Sequence, residues 1–254
     1  MKIVHLSDIH AGGSHFLPDL AENVSETINE LKPDILVVTG DLTDNGYTSE
    51  FEKAKRYIER LACNLRVVIP GNHDARNVGY LGFEEFFGAL VTVERSEGIT
   101  IVGIDSTQPD LDEGHVGREL YAWLEQSLDT DDFKVVALHH HIIPVPKTGR
   151  ERNILTDAGD VLELLMRYNV DLVLCGHRHV PWIWDLNGMI IANAGTACAD
   201  RVKWGIPQSF NLFELEDAQK GTIKIYRMYS GGGQELVFDE ELSLIHISEP
   251  TRPY

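Results

Sequence analysis

Short apolar stretches alternate with amphipathic stretches along the first two thirds of the chain. The apolar runs lie within residues 2–8, 34–41, 65–74, 134–141 and 170–179, and the run at 34–41 is apolar on both faces, as buried strands are. Residues 16–33, 49–62, 82–90, 118–130 and 157–169 carry apolar side chains at helical spacing. Strands that alternate with helices in this way are typical of an α/β layered fold.

The remaining segments predict further strands. Residues 91–107 have the pattern of a hairpin followed by an edge strand, and residues 180–196, 208–217 and 221–231 have that of a late antiparallel β run. Ser49, with Glu52 three residues on, is the expected cap of the second helix. The fourth helix should pack through Leu120, Trp123, Leu124 and Leu128. Because no linker-like segment divides the chain, we expect one domain over residues 1–241.

The last residues differ from the rest. Residues 242–254, "LSLIHISEPTRPY", have no helical period and contain two prolines. This segment resembles the translated sequence of a sequencing-library adaptor, so we expect a non-native tail with little burial. His246, which lies in this segment, is therefore not considered as a ligand.

Composition narrows the classes of partner. The chain has 254 residues, with 22 Lys and Arg against 40 Asp and Glu, which gives a net charge of −18. That charge opposes binding to nucleic-acid polymers and anionic membranes. The three cysteines are far apart and form no C-x-x-C pair, so neither a disulfide framework nor a zinc knuckle is expected. The chain starts directly with a strand and has no apolar run long enough to span a membrane, which favours the cytoplasm.

Polar side chains follow five of the predicted strands. The strand ends read "LSDIH", "VTGDLTD", "VIPGNHD", "VALHHH" and "VLCGHRH". Ligands of open α/β sheets gather at the carboxyl ends of the strands, so these turns should surround one point. They offer seven oxygen or imidazole donors: Asp8, His10, Asp41, Asn72, His139, His177 and His179.

This donor set indicates a metal centre. Oxygen and imidazole ligands without thiolate suit Mn, Fe, Zn or Co, whereas a structural zinc site would be closed by sulfur. Seven ligands are too many for one tetrahedral ion, and they suit two ions that share a carboxylate and a water. Gly40, Gly71 and Gly176 each precede a ligand, where a missing Cβ lets the backbone turn sharply and come close to the metals.

The motif series resembles that of the calcineurin-like metallophosphoesterases. It stands here as "DIH" (8–10), "GDLTD" (40–44), "GNHD" (71–74), "HHH" (139–141) and "GHRH" (176–179). Within that superfamily the chain is most similar to the class III cyclic-nucleotide phosphodiesterases and related small phosphodiesterases, also through "GHVGRELYAWLEQSL". The resemblance implies a four-layer α/β/β/α sandwich.

The resemblance also implies which residue binds which ion. Asp8, His10, Asp41 and His179 would hold one ion. Asp41, Asn72, His139 and His177 would hold the other, with Asp41 bridging the two. His140 should point away and pack or bond to backbone. His73 would lie beside the phosphate without binding metal.

The expected chemistry is phosphoester hydrolysis by a metal-bridging hydroxide. His73, as an imidazolium, would stabilise the charge of the transition state or protonate the leaving group. Asp44 is our first choice, and Asp74 our second, for the carboxylate that orients His73. Asn72, His73, Arg76 and His141 are the candidate substrate contacts, although for Arg76 a salt bridge or solvation is favoured over a phosphate contact.

Several alternatives stay open at this point. The leading hypothesis is an enzyme that cleaves small phosphodiesters, such as cyclic nucleotides or glycerophosphodiesters. The second hypothesis is a phosphomonoesterase. A nuclease is disfavoured by the charge of −18, and a protein phosphatase by the absence of an arginine in "GDLTDN". A non-catalytic scaffold is disfavoured because every ligand type is present. The sequence leaves open whether the protein forms a homodimer and which metals it binds.

Overall fold

Two six-stranded mixed sheets form the framework of the protein. The computed structural model describes residues 1–149, 153–216 and 222–241. The strands are β1 (Lys2–Leu6), β2 (Ile35–Thr39), β3 (Leu65–Ile69), β4 (Thr92–Ser96), β5 (Ile99–Gly103), β6 (Phe133–Ala137), β7 (Leu172–Cys175), β8 (Trp182–Leu186), β9 (Met189–Asn193), β10 (Ser209–Leu215), β11 (Thr222–Tyr229) and β12 (Gln234–Glu241). The helices are α1 (Pro18–Leu31), α2 (Thr48–Glu59), α3 (Gly79–Phe87), α4 (Arg118–Leu128) and α5 (Ala158–Arg167).

Three hydrophobic cores separate four layers. Because successive strand residues face opposite sides, Val4 and Leu6 of β1 pack against α1, α2 and α3, while Ile3 faces the second sheet. On the far side of the second sheet, Leu124 of α4 and Leu165 of α5 lie in the third core. The layers are therefore α/β/β/α, which confirms the predicted fold class.

The strand order places the predicted ligand loops together. The first sheet has the order β12-β11-β10-β1-β2-β3, and the second β4-β5-β6-β7-β9-β8. β1, β2 and β3 are parallel neighbours, as are β5, β6, β7 and β9. Parallel neighbours end at the same edge of a sheet, so the loops after β1, β2 and β3 lie side by side, as do those after β6 and β7.

The late β run forms two antiparallel pairs, β8 with β9 and β10 with β11, but the two pairs lie in different sheets. β8 and β9 belong to the second sheet, where β9 is parallel to β7. β10 and β11 belong to the first sheet, where β10 is antiparallel to β1. The chain crosses between the sheets within residues 194–208, so strands that are consecutive in sequence are separated in space. β12, which pairs with β11 at the sheet edge, was not predicted.

Two smaller predictions are wrong. Residues 92–103 form only the β4–β5 hairpin, and its first strand is itself the edge of the sheet, so no edge strand follows it. Ser49 does not cap α2, because the helix begins at Thr48. Instead the Glu50 carboxylate accepts hydrogen bonds from the backbone N–H of Asn45 at 2.8 Å and of Tyr47 at 3.4 Å, just before the helix.

The expected non-native tail, residues 242–254 with His246, lies outside the described residues. Cys63, Cys175 and Cys198 are all free thiols. Within the described ranges, no helix combines the length and the apolar character that crossing a membrane requires.

Candidate metal centre

The backbone of the predicted ligand loops has an unusual conformation. Asp8, His10, Asp41, His177 and His179 have φ values of 54°, 52°, 52°, 72° and 57°. Residues with a Cβ rarely adopt this left-handed region, which costs about 1–3 kcal/mol at each position. Hydrogen bonds between neighbouring loops hold it in place, with the N–H of Asp8 donating to Gly40 O at 3.0 Å and that of His10 to Asp41 O at 2.9 Å.

Two glycines allow the loops after β2 and β3 to touch. A Cβ on Gly71 would overlap the backbone nitrogen of Asp41, and a Cβ on Gly40 would overlap the backbone of Gly71. The backbone comes close to the neighbouring loop at these positions, and its approach to metals stays a prediction. This contact places Asp41 and Asn72 next to each other.

One group of donors lies between the loops after β1, β2 and β7. His179 Nε2 is 3.1 Å from Asp8 Oδ1 and 3.3 Å from His10 Nε2. Asp41 Oδ2 lies 3.8 Å from His10 Nε2. The donor atoms of these four buried residues all lie within 4.8 Å of one another. They are the four residues that the family resemblance assigns to the first ion.

A second group lies on the other side of Asp41. Asn72 Oδ1 is 3.1 Å from His139 Nε2 and 2.9 Å from His177 Nδ1. Asp41 Oδ1 is 3.4 Å from His139 Nε2. Donors about 2.0–2.2 Å from a shared cation lie roughly 3–3.5 Å apart, so these spacings fit a common ion. The two oxygens of Asp41 therefore face different groups, as a bridging carboxylate requires.

Hydrogen bonds to oxygen acceptors orient two of the imidazole rings, and a third ring lies near a carboxylate. His139 Nδ1 donates to Thr39 O at 2.7 Å, and His179 Nδ1 donates to Arg201 O at 2.9 Å. His10 Nδ1 lies 3.5 Å from a carboxylate oxygen of Asp44. An acceptor on Nδ1 fixes the tautomer and leaves the Nε2 lone pair for a cation. All three Nε2 atoms face the centre, which is the arrangement expected of metal-ligating histidines.

The electrostatics of the centre favour positive charge. Burial works against ionisation of Asp41, but His139 and His73 hold the pKa of that carboxyl well below its usual range. Burial would also lower the pKa of His139, but Asp41 and Asp8 outweigh it and raise the pKa to about 9. Divalent cations bound by neutral imidazoles would satisfy the same carboxylates, with release of protons.

His73 lies beside the donors, and Asp44 positions it in an unexpected way. His73 Nδ1 donates to the backbone carbonyl of Asp44 at 2.7 Å, whereas the Asp44 carboxylate is 3.6 Å away. That carboxylate lies 3.0 Å from the guanidinium of Arg201 and 3.5 Å from His10 Nδ1. Burial lowers the pKa of His73, and the nearby His10 and Arg76 lower it further. Asp41 raises this pKa, but its effect is smaller than the sum of the others. This favours a neutral ring over the imidazolium that was expected.

Asp74 does not orient His73. Its buried carboxylate accepts hydrogen bonds from the backbone N–H groups of Leu42 (3.1 Å), Thr43 (2.8 Å) and Gly71 (2.9 Å), and from the Thr43 hydroxyl (2.7 Å). Asp74 therefore ties the loop after β2 to the loop after β3. These four hydrogen bonds occupy both carboxylate oxygens, and the catalytic role of Asp74 stays a prediction.

Two of the candidate substrate contacts have other partners. Arg76 forms an ion pair with Asp112 at 2.9 Å and also lies 2.9 Å from His73 Nδ1, as the salt-bridge interpretation expected. His141 is fully buried and stacks on His177 with ring centroids 5.8 Å apart, so it does not line the cleft. His140 points away as expected, with Nδ1 2.9 Å from the Ser106 hydroxyl and Nε2 3.2 Å from Asp112 O.

A cleft of about 400 Å³ opens over the two donor groups. It is lined by Asp41, Asn72, His73, Arg76, Asp112, Asn153, His177, Arg178, His179, Arg201, Val202 and Lys203. Four of these side chains are cationic, in a chain whose net charge is −18. Sequence reasoning did not find Arg201, because it follows no strand-end motif. Its only signal was a basic pair, Arg201 and Lys203, in an otherwise acidic chain.

Comparison with known proteins identifies the family of the chain. The profile of the calcineurin-like phosphoesterase family matches residues 1–181. A protein of Synechococcus sp. named a probable cyclic nucleotide phosphodiesterase is 30% identical over 167 residues, which cover 64% of each chain. A protein of Arcobacter nitrofigilis named a probable glycerophosphodiester phosphodiesterase is 36% identical over 183 residues, which cover 66% of each chain. The chain thus spans slightly less than two thirds of the length of these relatives.

A solved structure shares the fold. The purple acid phosphatase from yellow lupin (Lupinus luteus) superposes with a TM-score of 0.72 at 17% identity, over 94% of this chain and 53% of that one. The family profile covers more than half of the chain and includes all seven predicted ligands. The chain therefore belongs to the calcineurin-like phosphoesterase family.

Proposed function

We propose that the protein is a metal-dependent hydrolase that cleaves small phosphodiesters in this cleft with two bound cations. The observation that carries the proposal is the position of Asp41. Its Oδ2 lies 3.8 Å from His10 Nε2, and its Oδ1 lies 3.4 Å from His139 Nε2, so it stands between two donor groups. Two cations about 3.5–4 Å apart and joined by a shared ligand are typical of phosphate-ester hydrolases.

The donor chemistry fits divalent cations of the first transition row. All seven ligands are carboxylate, amide or imidazole groups, which suit Mn, Fe, Zn or Co. His177 Nε2 is buried without a hydrogen-bond partner, while its Nδ1 is directed at Asn72 Oδ1. When bound, the cations would lower the pKa of a water molecule into the neutral range and polarise the phosphoryl oxygens.

The residues of the chain would bind and orient the ester. Asn72 Nδ2 donates to Asp112 at 3.0 Å, which fixes the amide so that Oδ1 stays directed at the second donor group. His73 lines the cleft with its Nδ1 held by the Asp44 carbonyl. A neutral ring with its proton on Nδ1 leaves Nε2 as an acceptor, so donation from Nε2 to a phosphoryl oxygen or to the departing oxygen requires that the ring be protonated when the ester is bound.

Three properties favour small diesters over polymers or proteins. The cleft of about 400 Å³ matches a small organic phosphate. The net charge of −18 opposes the binding of a polyanion. The arginine and lysine side chains that line the cleft attract a single phosphate group. The relatives described above are named as cyclic nucleotide and glycerophosphodiester phosphodiesterases, so both substrate types are to be tested.

The test compares bis-p-nitrophenyl phosphate with p-nitrophenyl phosphate as substrates of the purified protein with added Mn²⁺. We expect turnover of the diester that is abolished by EDTA and restored by Mn²⁺. A panel of cyclic nucleotides and glycerophosphodiesters then identifies the natural class. A preference for the monoester would contradict the phosphodiesterase assignment, and no turnover of either ester would support a non-catalytic scaffold.

A further inference from the structure

Arg201 lies on a loop that enters the cleft after all of the metal motifs. This loop, residues 194–208, connects β9 in the second sheet with β10 in the first sheet, and it lies beyond the region matched by the family profile. We infer that Arg201 binds a non-bridging oxygen of the substrate phosphate and thereby sets the affinity for the ester. This inference rests on the proposed function and assigns its phosphate-binding residue.

The guanidinium of Arg201 lies between two groups of the centre. One terminal nitrogen is 3.0 Å from Asp44 Oδ1, and the other is 3.5 Å from His73 Nε2. Asp44 Oδ1 is in turn 3.5 Å from His10 Nδ1. The side chain of Arg201 is 30% exposed and lines the cleft. It is therefore accessible to a ligand, and the Asp44 carboxylate lies between it and His10 of the first donor group.

The backbone around Arg201 is anchored to the same site. The carbonyl oxygen of Arg201 accepts a hydrogen bond from His179 Nδ1 at 2.9 Å, so the residue that orients one ligand ring also carries the guanidinium. The neighbouring Asp200 is held by its N–H donating to His15 O at 2.9 Å. The guanidinium therefore starts from a fixed backbone position next to the donors.

The other cationic side chains of the cleft are placed differently. Arg76 approaches the Nδ1 side of His73, where the Asp44 carbonyl lies, and it is paired with Asp112. Arg178 donates to Thr148 O at 3.0 Å. Arg201 approaches Nε2, the ring nitrogen through which His73 would meet the ester. Arg201 can therefore donate to the phosphoryl oxygen that lies beside His73, and His73 can donate to the same oxygen when its ring is protonated.

The chemistry of the guanidinium suits this role. Arginine is charged at all physiological pH values, and its planar fork offers two parallel donors to phosphate oxygens. Its present partner, Asp44, can stay paired with His10 when the guanidinium turns to the ester. A charge-assisted hydrogen bond of this kind changes affinity by about 10- to 100-fold.

The test uses Arg201→Gln and Arg201→Lys in the metal-loaded protein. For Arg201→Gln we expect the KM for bis-p-nitrophenyl phosphate and the Kd for inorganic phosphate, measured by calorimetry, to rise by about 10- to 100-fold. Arg201→Lys should recover part of both losses, because it restores the charge without the planar fork. Metal content per chain should be unchanged, since the contact with His179 uses the backbone carbonyl.

Lys203→Gln is the matched control, because it removes one positive charge from the same loop and the same cleft. Lys203 is one of the four cationic side chains of the cleft, so we expect a small rise in both constants, of less than about threefold, as the loss of one screened charge causes. Equal effects of Lys203→Gln and Arg201→Gln would overturn the inference. They would show that the phosphate is attracted by the total positive charge of the cleft and not by a specific contact with Arg201. Loss of metal in Arg201→Gln would also overturn it, because it would show a structural role.

The two proposals fail in different ways. If the wild-type protein hydrolyses no ester, the proposed function fails, and the calorimetric comparison still decides whether Arg201 binds phosphate. If the wild-type protein hydrolyses the diester while Arg201→Gln has unchanged KM and unchanged phosphate affinity, the role of Arg201 fails alone.

Discussion

The three consecutive histidines at 139–141 have different partners, although they are neighbours in the sequence. His139 directs Nε2 to the second donor group, while its neighbour His140 bonds to Ser106 and to the Asp112 carbonyl. His141 stacks behind His177. Successive side chains at a strand end face opposite ways, so the cluster supplies one candidate ligand and two supporting residues.

His139→Ala should therefore lose about one of the two proposed cations per chain, while His140→Ala should retain both. The measurement is metal content by elemental mass spectrometry after gel filtration. His140→Ala is the matched control, since it removes a neighbouring buried imidazole of the same size. If the two variants exchanged behaviour, the assignment of the ligand within the triple would be off by one residue.

His73→Ala should retain both cations and lower kcat for the diester by about 10²- to 10⁴-fold, because it removes a proton donor and no metal ligand. Steady-state kinetics and metal content, measured on the same preparation, check this. An equal fall in metal content and kcat would assign His73 to the metal centre instead.

The seven candidate ligands could be selected from the sequence because each lies two to four residues after the end of a strand. The partners of His73 could not. Asp44 and Asp74 follow the ligand motifs at similar offsets, but Asp74 accepts four hydrogen bonds from Leu42, Thr43 and Gly71, and only the folded loops determine that. Arg201 was missed because a single basic residue in a long loop has no periodicity.

At the scale of elements, one carboxylate joins two helices of the outer layer. Asp157, directly before α5, accepts hydrogen bonds from the N–H groups of Val116 (3.1 Å) and Gly117 (2.9 Å) and from the Tyr121 hydroxyl (2.8 Å). These donors lie at the start of α4 and within it. Burial works against ionisation of Asp157, but the hydrogen bonds from Gly117 and Val116 outweigh it and lower its pKa.

Asp157→Asn should lower the free energy of unfolding by about 1–3 kcal/mol at pH 7, because it places an amide among N–H donors. A lowered folded pKa means that the stabilisation is present above the unfolded value, about 3.9, and is lost as the pH falls through the folded value. The difference between wild type and variant should therefore shrink below about pH 4. Denaturant unfolding at several pH values measures it.

Asp160→Asn is the control in the same helix, since its carboxylate is exposed and lies 3.7 Å from Arg118. An exposed pair contributes about 0–1 kcal/mol, so this variant should be nearly neutral. A loss at Asp160 equal to that at Asp157 would show that the charge of α5, and not the link to α4, is responsible.

The elements themselves were predictable where strands and helices alternate, because the change of period from two to 3.6 residues marks each boundary. The strands after residue 180 were recognised but their sheets were not. Ile183 of β8 and Phe213 of β10 belong to similar apolar patterns, and the crossing at 194–208 that separates them leaves no local signal.

At the scale of the molecule, the candidate metal centre joins the two sheets. Asp8, His10, Asp41 and Asn72 follow strands of the first sheet, and His139, His177 and His179 follow strands of the second. Each donor group takes residues from both sheets. Cations bound there would cross-link the carboxyl edges of the sandwich, in addition to the core between the sheets.

Mn²⁺ at about 100 times the Kd of each site should therefore raise the free energy of unfolding by about 2.7 kcal/mol per bound ion, or about 5.4 kcal/mol for two ions, relative to the EDTA-treated protein. Thermal unfolding with and without Mn²⁺ measures the shift. The shift should be smaller in His139→Ala, which lacks a ligand from the second sheet. An equal shift in wild type and His139→Ala would place the stabilising ions elsewhere.

Several residues of the ligand loops have a left-handed backbone conformation, which costs stability. At these positions, the side chain that the proposed function needs differs from the glycine that stability favours. At Asp8, Asp41 or His177, glycine would remove a proposed metal ligand and would also relieve an unfavourable backbone conformation that costs about 1 kcal/mol or more. A single substitution could thus silence the centre while leaving the sandwich as stable as before. A related protein with an intact fold and no metal centre can therefore arise by one substitution. Selection for the proposed activity is what retains these side chains.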